Sequence, residues 1–314
     1  MHTAPIVPET LASSVIAVPP LARNADLSLN TQDNVALIRH LEGGGVSTLL
    51  YGGNAVLYHV AMSEYADLLQ LLVDSVAPST LAIPSVGPSY GLMMDQASVI
   101  REFNFPTSMV LPTRDVTTPT GVSNAVQAYV QRAGHPAVLY VKHDGYVDVD
   151  TAAKLMHDGF LSWIKYAVVR DDDALDPWLR ALVDAVGPER IVSGIGEQPA
   201  VTHMNQFGLV SFTSGCVCVA PQLSMNLLRY VRGGDWDAAR QLQATFRPLE
   251  DLRNDIHPVR VLHAAVGLAG LADMGPVLPL LSEVDSSQEV EIRNAAVSLL
   301  EAEKAARAQE ALPT

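Results

Sequence analysis

The chain is poor in cysteine, in aromatic residues and in positive charge. Its 314 residues include 2 cysteines, which are too few for a disulfide framework or for a structural zinc site built from this chain alone. Only 6% of the residues are aromatic, and 20 basic residues stand against 34 acidic ones. The resulting net charge of −14 repels phosphate backbones and anionic lipid headgroups, so nucleic acid is not expected as a partner.

Motifs for metal binding, for nucleotide chemistry and for export are also missing. The 9 histidines show no metal-ligating spacing, so we expect no metal site. No P-loop and no G-x-S-x-G nucleophile motif occurs. Residues 1–20 have no basic region and contain several prolines, and the apolar stretch 261–281 is broken by aspartate, glycine and proline. These patterns predict a cytoplasmic protein without a membrane segment.

Short apolar runs rich in β-branched residues alternate with longer helical patterns. Eight such pairs match a closed (β/α)8 TIM barrel of the α/β class better than an open doubly wound sheet. The G-x-G-x-x-G fingerprint that an open nucleotide-binding sheet would carry is absent after the first run. The predicted strands are 15–18, 48–52, 81–86, 108–112, 137–142, 161–168, 190–194 and 209–213, and the predicted helices between and after them are 31–41, 63–76, 91–103, 121–133, 151–157, 176–186, 198–207 and 222–231.

Three more helical patterns, rich in alanine, leucine, arginine and glutamate, follow the eighth unit at 235–249, 257–271 and 287–309. We therefore divide the chain into an N-terminal extension at 1–14, a barrel at 15–233 and a C-terminal helical extension at 234–314.

Lysine is scarce, and one of the four lysines has an unusual setting. Lys165 lies within 161–169, a run that otherwise has the composition of a buried barrel strand. Burial disfavours the ammonium form and lowers the pKa, which leaves neutral amine for carbonyl attack and Schiff-base formation. Alternatively, Lys165 pairs with a carboxylate or extends its ammonium group to solvent at the strand end.

The fifth predicted strand places a phenol near that lysine. Alternation along 137–142 puts Val138, Tyr140 and Lys142 on one face, with the two polar residues towards the C-terminal end. The C-terminal ends of TIM-barrel strands form the active site, so Tyr140 and Lys165 are expected to face one cavity. Tyr140 is then a candidate for proton transfer, although a half-buried core tyrosine has the same pattern.

Glycine ends three of the predicted strands, at 52–54, 193–197 and 213–215. Backbone N–H groups of the first segment can bind a carboxylate, but a plain glycine turn explains this segment equally well.

Four segments together resemble the dihydrodipicolinate synthase/N-acetylneuraminate lyase family. They are Ala-Val-Leu-Tyr at 137–140, a lysine 25 residues after the tyrosine in Trp-Ile-Lys at 163–165, Val-Ser-Gly at 192–194 and Gly-Leu-Val-Ser at 208–211. The resemblance extends over about residues 15–300. It implies a Schiff-base barrel that acts on pyruvate or a related 2-oxo acid, forms a homotetramer or dimer, and needs no dissociable cofactor.

The same resemblance implies roles for individual residues. Lys165 would be the Schiff-base lysine and Tyr140 the proton-transfer phenol, and Gly194 and Val210 would line the 2-oxo acid pocket.

The chain also departs from the family pattern. The usual G-T-T-G-E motif is Gly-Gly-Asn-Ala-Val at 52–56, so both hydroxyl groups are missing. Arg114 stands where a neighbouring subunit commonly inserts a tyrosine, and Gly145 stands where the synthase has an arginine for its second substrate. These differences predict an enzyme other than dihydrodipicolinate synthase itself, and glycine at the second motif position is nearer to the sugar-acid dehydratase pattern G-G-T-G-E.

The sequence thus predicts a lyase or hydro-lyase that forms an imine between Lys165 and pyruvate or a 2-keto-3-deoxy sugar acid. The Gly53 amide and Asn54 would hold the 2-oxo carboxylate, and Lys142 and Arg114 would support Tyr140 or bind a distal carboxylate. Two alternatives stay open. One is a barrel that binds a keto acid as a sensor without turnover, and the other is an unrelated barrel enzyme that uses Glu197 and a histidine as acid and base.

Overall fold

Eight short parallel strands form the centre of the structure, a computed structural model that describes residues 1–310. The strands are β1 (Ile16–Ala17), β2 (Thr48–Tyr51), β3 (Leu81–Val86), β4 (Ser108–Val110), β5 (Ala137–Val141), β6 (Leu161–Tyr166), β7 (Ile191–Ser193) and β8 (Thr213–Ser214). They pair in the order β7-β6-β5-β4-β3-β2-β1-β8, and a parallel bridge between Ser193 and Phe212 closes the ring. The predicted (β/α)8 TIM barrel is confirmed.

Helices connect successive strands and continue beyond β8. Every helix among the described residues is too short or too polar to cross a lipid bilayer. The helices are α1 (Pro8–Ala12), α2 (Thr31–Gly43), α3 (Met62–Ser75), α4 (Tyr90–Ile100), α5 (Pro119–Ala133), α6 (Val149–His157), α7 (Pro177–Val186), α8 (Glu197–Phe207), α9 (Pro221–Arg232), α10 (Trp236–Asp255), α11 (Pro258–Leu268) and α12 (Ser286–Glu310).

Side-chain caps and prolines explain where many of these helices begin. The side chain of Asp148 accepts a hydrogen bond from Thr151 N at the start of α6, and Asp176 does the same for Leu179 N at the start of α7. Asn30, Thr118 and Asp235 cap α2, α5 and α10 in the same way. Polar residues therefore end four of the βα loops, those before α2, α5, α6 and α7, at fixed places around the mouth of the barrel.

Several predicted boundaries were wrong, and one helix was not predicted. The helix expected at 235–249 continues to Asp255, so Arg253 lay outside the predicted element. The eighth strand was expected at 209–213, but the ladder pairs Thr213 and Ser214 with β1, and residues 209–211 lead into it. The helix expected at 257–271 ends at Leu268, and Gly270 then adopts a positive φ of 72° that a helix does not continue through. The five-residue helix α1 was not predicted, because it is too short to show a period.

The pairing of β5 with β6 positions the central residues of the site. Tyr140 and Lys165 are direct partners in the parallel register. Every residue of both strands is buried, so the two side chains lie within the barrel wall rather than on an exposed edge. The remaining polar residue of β6, Ser162, donates its hydroxyl to Ala137 O at 3.2 Å. The side chain of Lys165, in contrast, has no hydrogen-bond partner among the described residues.

The helices α10, α11 and α12 pack against the last unit of the barrel. Phe246 and Leu249 of α10 share an apolar cluster with Cys216 and Val219 from the segment between β8 and α9. Glu303 of α12 accepts hydrogen bonds from the backbone N–H groups of Gln222 and Leu223, at the start of α9. The predicted extension at 234–314 thus contacts the barrel through both apolar and polar groups; its last residues, 311–314, lie outside the described residues.

Candidate active site

A cavity of about 200 Å³ opens at the C-terminal ends of the strands. Side chains from β5 and β6 form one wall, and the loops after β2, β7 and β8, together with the α10–α11 junction, form the rest. It contains six of the eight residues that the sequence singled out: Lys165, Tyr140, Gly53, Asn54, Lys142 and Gly194. This is the position at which TIM barrels carry their active sites.

Lys165 is buried and has no anionic partner. It is 4% exposed, and its Nζ lies 4.4 Å from the centroid of the Tyr140 ring. Within residues 1–310 no carboxylate pairs with it, so the alternative of a neutralised lysine is not found. Burial, together with the positive charges of Lys142 and Arg253, lowers the pKa of Lys165 to about 7. A large fraction of the amine is therefore uncharged near neutral pH.

Tyr140 lies against that amine through the face of its ring. The residue is 8% exposed, and burial raises the pKa of its hydroxyl well above the ordinary value. Tyr58 raises this pKa further, and the positive charge of Arg253 acts in the opposite direction. The phenol is therefore protonated at neutral pH. In this state it can donate a proton to an oxygen atom that gains charge beside Lys165.

The loop after β2 is both a turn and part of the cavity wall. Gly52 O and Gly53 O accept hydrogen bonds from Leu57 N and Val56 N, which closes the turn. Asn54 Nδ2 donates to Val18 O at 2.8 Å, so half of its amide group is already used to join the ends of β1 and β2. This loop therefore lines the cavity with Gly53 and Asn54 and offers no hydroxyl pair to it.

Gly194 allows the end of β7 to approach Lys165 closely. A Cβ atom at this position would lie 2.6 Å from Tyr166 O and 3.0 Å from Lys165 Cγ. Any larger side chain would displace the lysine or the strand end. Glycine at the seventh strand end is thus required by the packing around the amine.

Arg114 and Val210 lie elsewhere. Arg114 is exposed and lines an adjoining cavity of about 580 Å³, and Lys142 borders both this cavity and the smaller one. Burial and the charge of Arg114 lower the pKa of Lys142. Val210 does not line the cavity, because β8 begins later than predicted and Thr213, Ser214 and Gly215 occupy that wall instead.

The sequence interpretation missed Arg253, which reaches the cavity from α10. The residue is 9% exposed and lies on the stripe of α10 that also contains Phe246, Leu249 and Glu250. This spacing of three and four residues is that of a buried helix face. A glutamate and an arginine on an otherwise apolar stripe were the signal in the sequence.

A buried polar cluster lies beside Arg253. The carboxylate of Glu197 accepts hydrogen bonds from Ser214 and Ser224 at 2.8 and 2.6 Å, and Glu250 Oε1 accepts one from Glu197 N at 2.8 Å. Cys216 completes a group whose potential ligand atoms lie within 4.8 Å of one another. Burial raises the pKa of both Cys216 and Glu250, and the charge of Glu197 raises that of Glu250 further. Without a cation, the raised pKa values favour the protonated thiol and carboxyl group, so binding of a metal ion here would have to release protons.

No protein-family model and no curated protein sequence matches the chain. Among solved structures, it is similar to dihydrodipicolinate synthase from Bacillus clausii, with a TM-score of 0.81 and 20% identity over 95% of this chain and 99% of that one. Dihydrodipicolinate synthase from Oceanobacillus iheyensis gives a TM-score of 0.82 and 19% identity over 93% and 97% of the two chains. Sialic acid aldolase from Ruminococcus gnavus gives 0.81 and 14% over 94% and 99%.

These similarities cover nearly the full length of each chain at low identity. They show that the chain has the fold of dihydrodipicolinate synthases and of a sialic acid aldolase. The resemblance predicted from four short segments is therefore confirmed at the level of the fold.

We predict that Lys165→Met stabilises the protein at pH 7, by roughly 3 kcal/mol, and much less at pH 10. Lys165 has an ordinary pKa of 10.5 when unfolded and a pKa of about 7 when folded. Between these values the unfolded chain binds more protons, so the stability of the wild type rises with pH, whereas methionine removes this dependence. Urea unfolding of both proteins at both pH values measures the difference.

Lys154→Met is the matched control, because this lysine is exposed and pairs with Asp158 on the surface. It should change stability little at either pH. An equal effect of Lys165→Met at pH 7 and pH 10 would show that the amine is not desolvated.

Proposed function

We propose that the protein is a Schiff-base-forming lyase or hydro-lyase of the class I aldolase type, a divergent member of the dihydrodipicolinate synthase/N-acetylneuraminate lyase family. Its substrate would be pyruvate or another 2-oxo acid, such as a 2-keto-3-deoxy sugar acid. The observation that carries this proposal is the buried, unpaired amine of Lys165 against the ring of Tyr140 in a cavity at the mouth of the barrel. The names of the similar structures, two synthases and an aldolase, support the same reaction class.

The proposed reaction begins with the neutral amine. Lys165 Nζ attacks the keto carbon and forms a C–N bond, and the carbonyl oxygen takes a proton from the Tyr140 hydroxyl. Transfer of an amine proton and loss of water then give a protonated imine. Its positive nitrogen draws electrons from the neighbouring bond, which permits cleavage or formation of a C–C bond, or loss of a hydroxyl group.

The charged groups of the substrate would contact the loop after β2 and the basic residues at the opening of the barrel. The Gly53 amide and Asn54 would contact the 2-oxo carboxylate, as predicted from the sequence. Lys142 borders both cavities and Arg114 lines the adjoining one, so the two would bind a distal acidic group of a longer substrate.

The structure around Gly145 argues against authentic dihydrodipicolinate synthase. This residue has a φ of 78°, a conformation that an arginine would adopt only with strain. An arginine at this position would therefore require a different backbone conformation from the one that Gly145 adopts. We propose a 2-oxo acid lyase with a different second substrate or with none.

A keto acid sensor is the second candidate. It is favoured by the loop after β2, which lacks the hydroxyl pair and in which the Asn54 amide is committed to Val18 O. The enzyme is favoured by Thr213, which lines the same cavity and has a hydroxyl group that would serve in proton transfer instead. Imine formation without turnover would identify the sensor. A homo-oligomeric state, dimer or tetramer, and a cytoplasmic location belong to the proposal in either case.

We expect pyruvate or 2-keto-3-deoxygluconate, together with cyanoborohydride, to add a stable adduct to Lys165. Mass spectrometry of peptides locates it. The adduct should vanish in Lys165→Met and remain in Lys142→Met, since both lysines border the cavity but only Lys165 is fully buried. Modification of Lys142, or of no lysine with a panel of 2-oxo acids, would contradict the proposal. A separate assay for pyruvate release then distinguishes the lyase from the sensor.

The rate of adduct formation should rise about tenfold between pH 6 and pH 8 and level off above, because the reactive free amine of Lys165 has a pKa of about 7. Initial rates at pyruvate concentrations well below half-saturation, which report the free enzyme, give this profile. Lys142→Met removes a positive neighbour, which should raise the pKa of Lys165 and move the profile to higher pH. A rise that begins only near pH 10 would refute the role of burial.

Tyr140→Phe should slow adduct formation by about 100- to 10,000-fold, because it removes the proton donor and keeps the ring against the amine. Reductive trapping with pyruvate, quenched at a series of times, measures the rate. Tyr58→Phe is the control, since Tyr58 is close enough to affect the pKa of Tyr140 but does not line the cavity. Equal slowing in both variants would assign the effect to packing rather than to proton transfer.

A further inference from the structure

The guanidinium group of Arg253 is a buried cation that reaches the cavity of Lys165 from the C-terminal helix α10. We infer that Arg253 binds the carboxylate of the substrate, in place of the hydroxyl pair that the loop after β2 lacks. The inference deepens the proposed function and rests on it for the identity of the anion. It assigns a binding residue to the extension rather than to the barrel.

The partners of Arg253 leave much of its hydrogen-bonding capacity unused. Its Nε donates to Pro258 O at 3.3 Å, and its Nη1 contacts Cys216 Sγ at 4.0 Å. Over residues 1–310, Nη2 has no hydrogen-bond partner and no carboxylate lies within ion-pair distance of the group. Arginine is seldom buried without an anion, because desolvating its charge is costly. The missing partner is therefore expected from the cavity.

Two glycines make room for this arrangement. A Cβ atom at Gly215 would lie 2.8 Å from both Cζ and Nη2 of Arg253, and one at Gly196 would overlap Glu250 Oε1. Arg253 and Glu250 enter between the ends of β7 and β8 at these two places. Burial and the nearby Glu197 raise the pKa of Glu250, which Arg253 opposes. Among the described residues neither Glu250 nor Glu197 forms an ion pair with the guanidinium, so the packing holds the cation in place without a direct anionic contact.

The charge of the cavity selects an anion. Lys165, Lys142 and Arg253 line it, whereas no aspartate or glutamate of the described chain does, although the whole protein has a net charge of −14. The volume of about 200 Å³ equals that of about seven water molecules in the liquid, which suits a small acid. Arginine binds a carboxylate through two parallel N–H···O bonds. A 2-oxo acid would then present its keto carbon to Lys165 and its carboxylate to Arg253.

The test compares pyruvate with its methyl ester, which keeps the ketone and lacks the charge. In Arg253→Met, the pyruvate concentration that gives half-maximal trapping on Lys165 should rise about 10- to 100-fold. The value for methyl pyruvate should rise by no more than about threefold, because the ester has no carboxylate for the guanidinium and reports only the effect of the lost charge on the pKa of Lys165. Arg247→Met is the control, as Arg247 lies on α10 and pairs with Asp251 on the surface. An equal rise for both compounds, or no rise for pyruvate, would overturn the inference.

A second measurement separates this inference from the proposed function. Lactate carries the carboxylate but has no ketone and forms no imine, so calorimetric titration reports anion binding alone. The inference is supported if the wild type binds lactate and Arg253→Met does not bind it, even if no Lys165 adduct is ever found. Lactate binding that is absent in the wild type or equal in the two proteins overturns it. If Arg253→Met does not fold, Arg253→Lys is used, which keeps the charge but loses the two-bond geometry and should show an intermediate shift.

Discussion

The burial of Lys165 without a counter-ion is the constraint on which the rest of the site depends. A carboxylate within hydrogen-bond distance would keep the amine charged and unreactive. The structure instead surrounds it with a phenol ring and two further cations, so desolvation and repulsion act in the same direction. The buried carboxylate of Glu197 accepts hydrogen bonds from Ser214 and Ser224 and forms no ion pair with Lys165. Negative charge is abundant in this chain, but the cavity wall contains none.

The C-terminal helices contribute more than a cover to the barrel. They share an apolar cluster with the segment after β8, and they provide one of the three cations of the cavity. The glycines at 196 and 215 belong to barrel loops, yet their lack of a side chain is explained by residues of α10. Barrel and extension are thus fitted to each other at the site itself. Changes in α10 would also act on Lys165 and Tyr140, because the charge of Arg253 lowers the pKa of both groups.

The barrel and its two central residues could be predicted because periodicity and burial leave clear marks in a sequence. Lys165 interrupts an apolar strand, and alternation along β5 brings Tyr140 to the same side. Val210 was misplaced since β8 has only two residues, too few for a pattern to fix its ends. Arg253 was missed for another reason. A helical stripe shows which face is buried, but not which distant cavity that face meets, and this depends on tertiary packing.

The placement of Arg253 also has a consequence for the order in which the site is completed. Ribosomal synthesis proceeds from the N-terminus, so all eight strands leave the exit tunnel before α10 does. A nascent chain long enough to form the barrel would hold the buried amine of Lys165 but lack the guanidinium to which we assign the binding of the acid. Chemical competence would then arrive last, only after the final helices have docked.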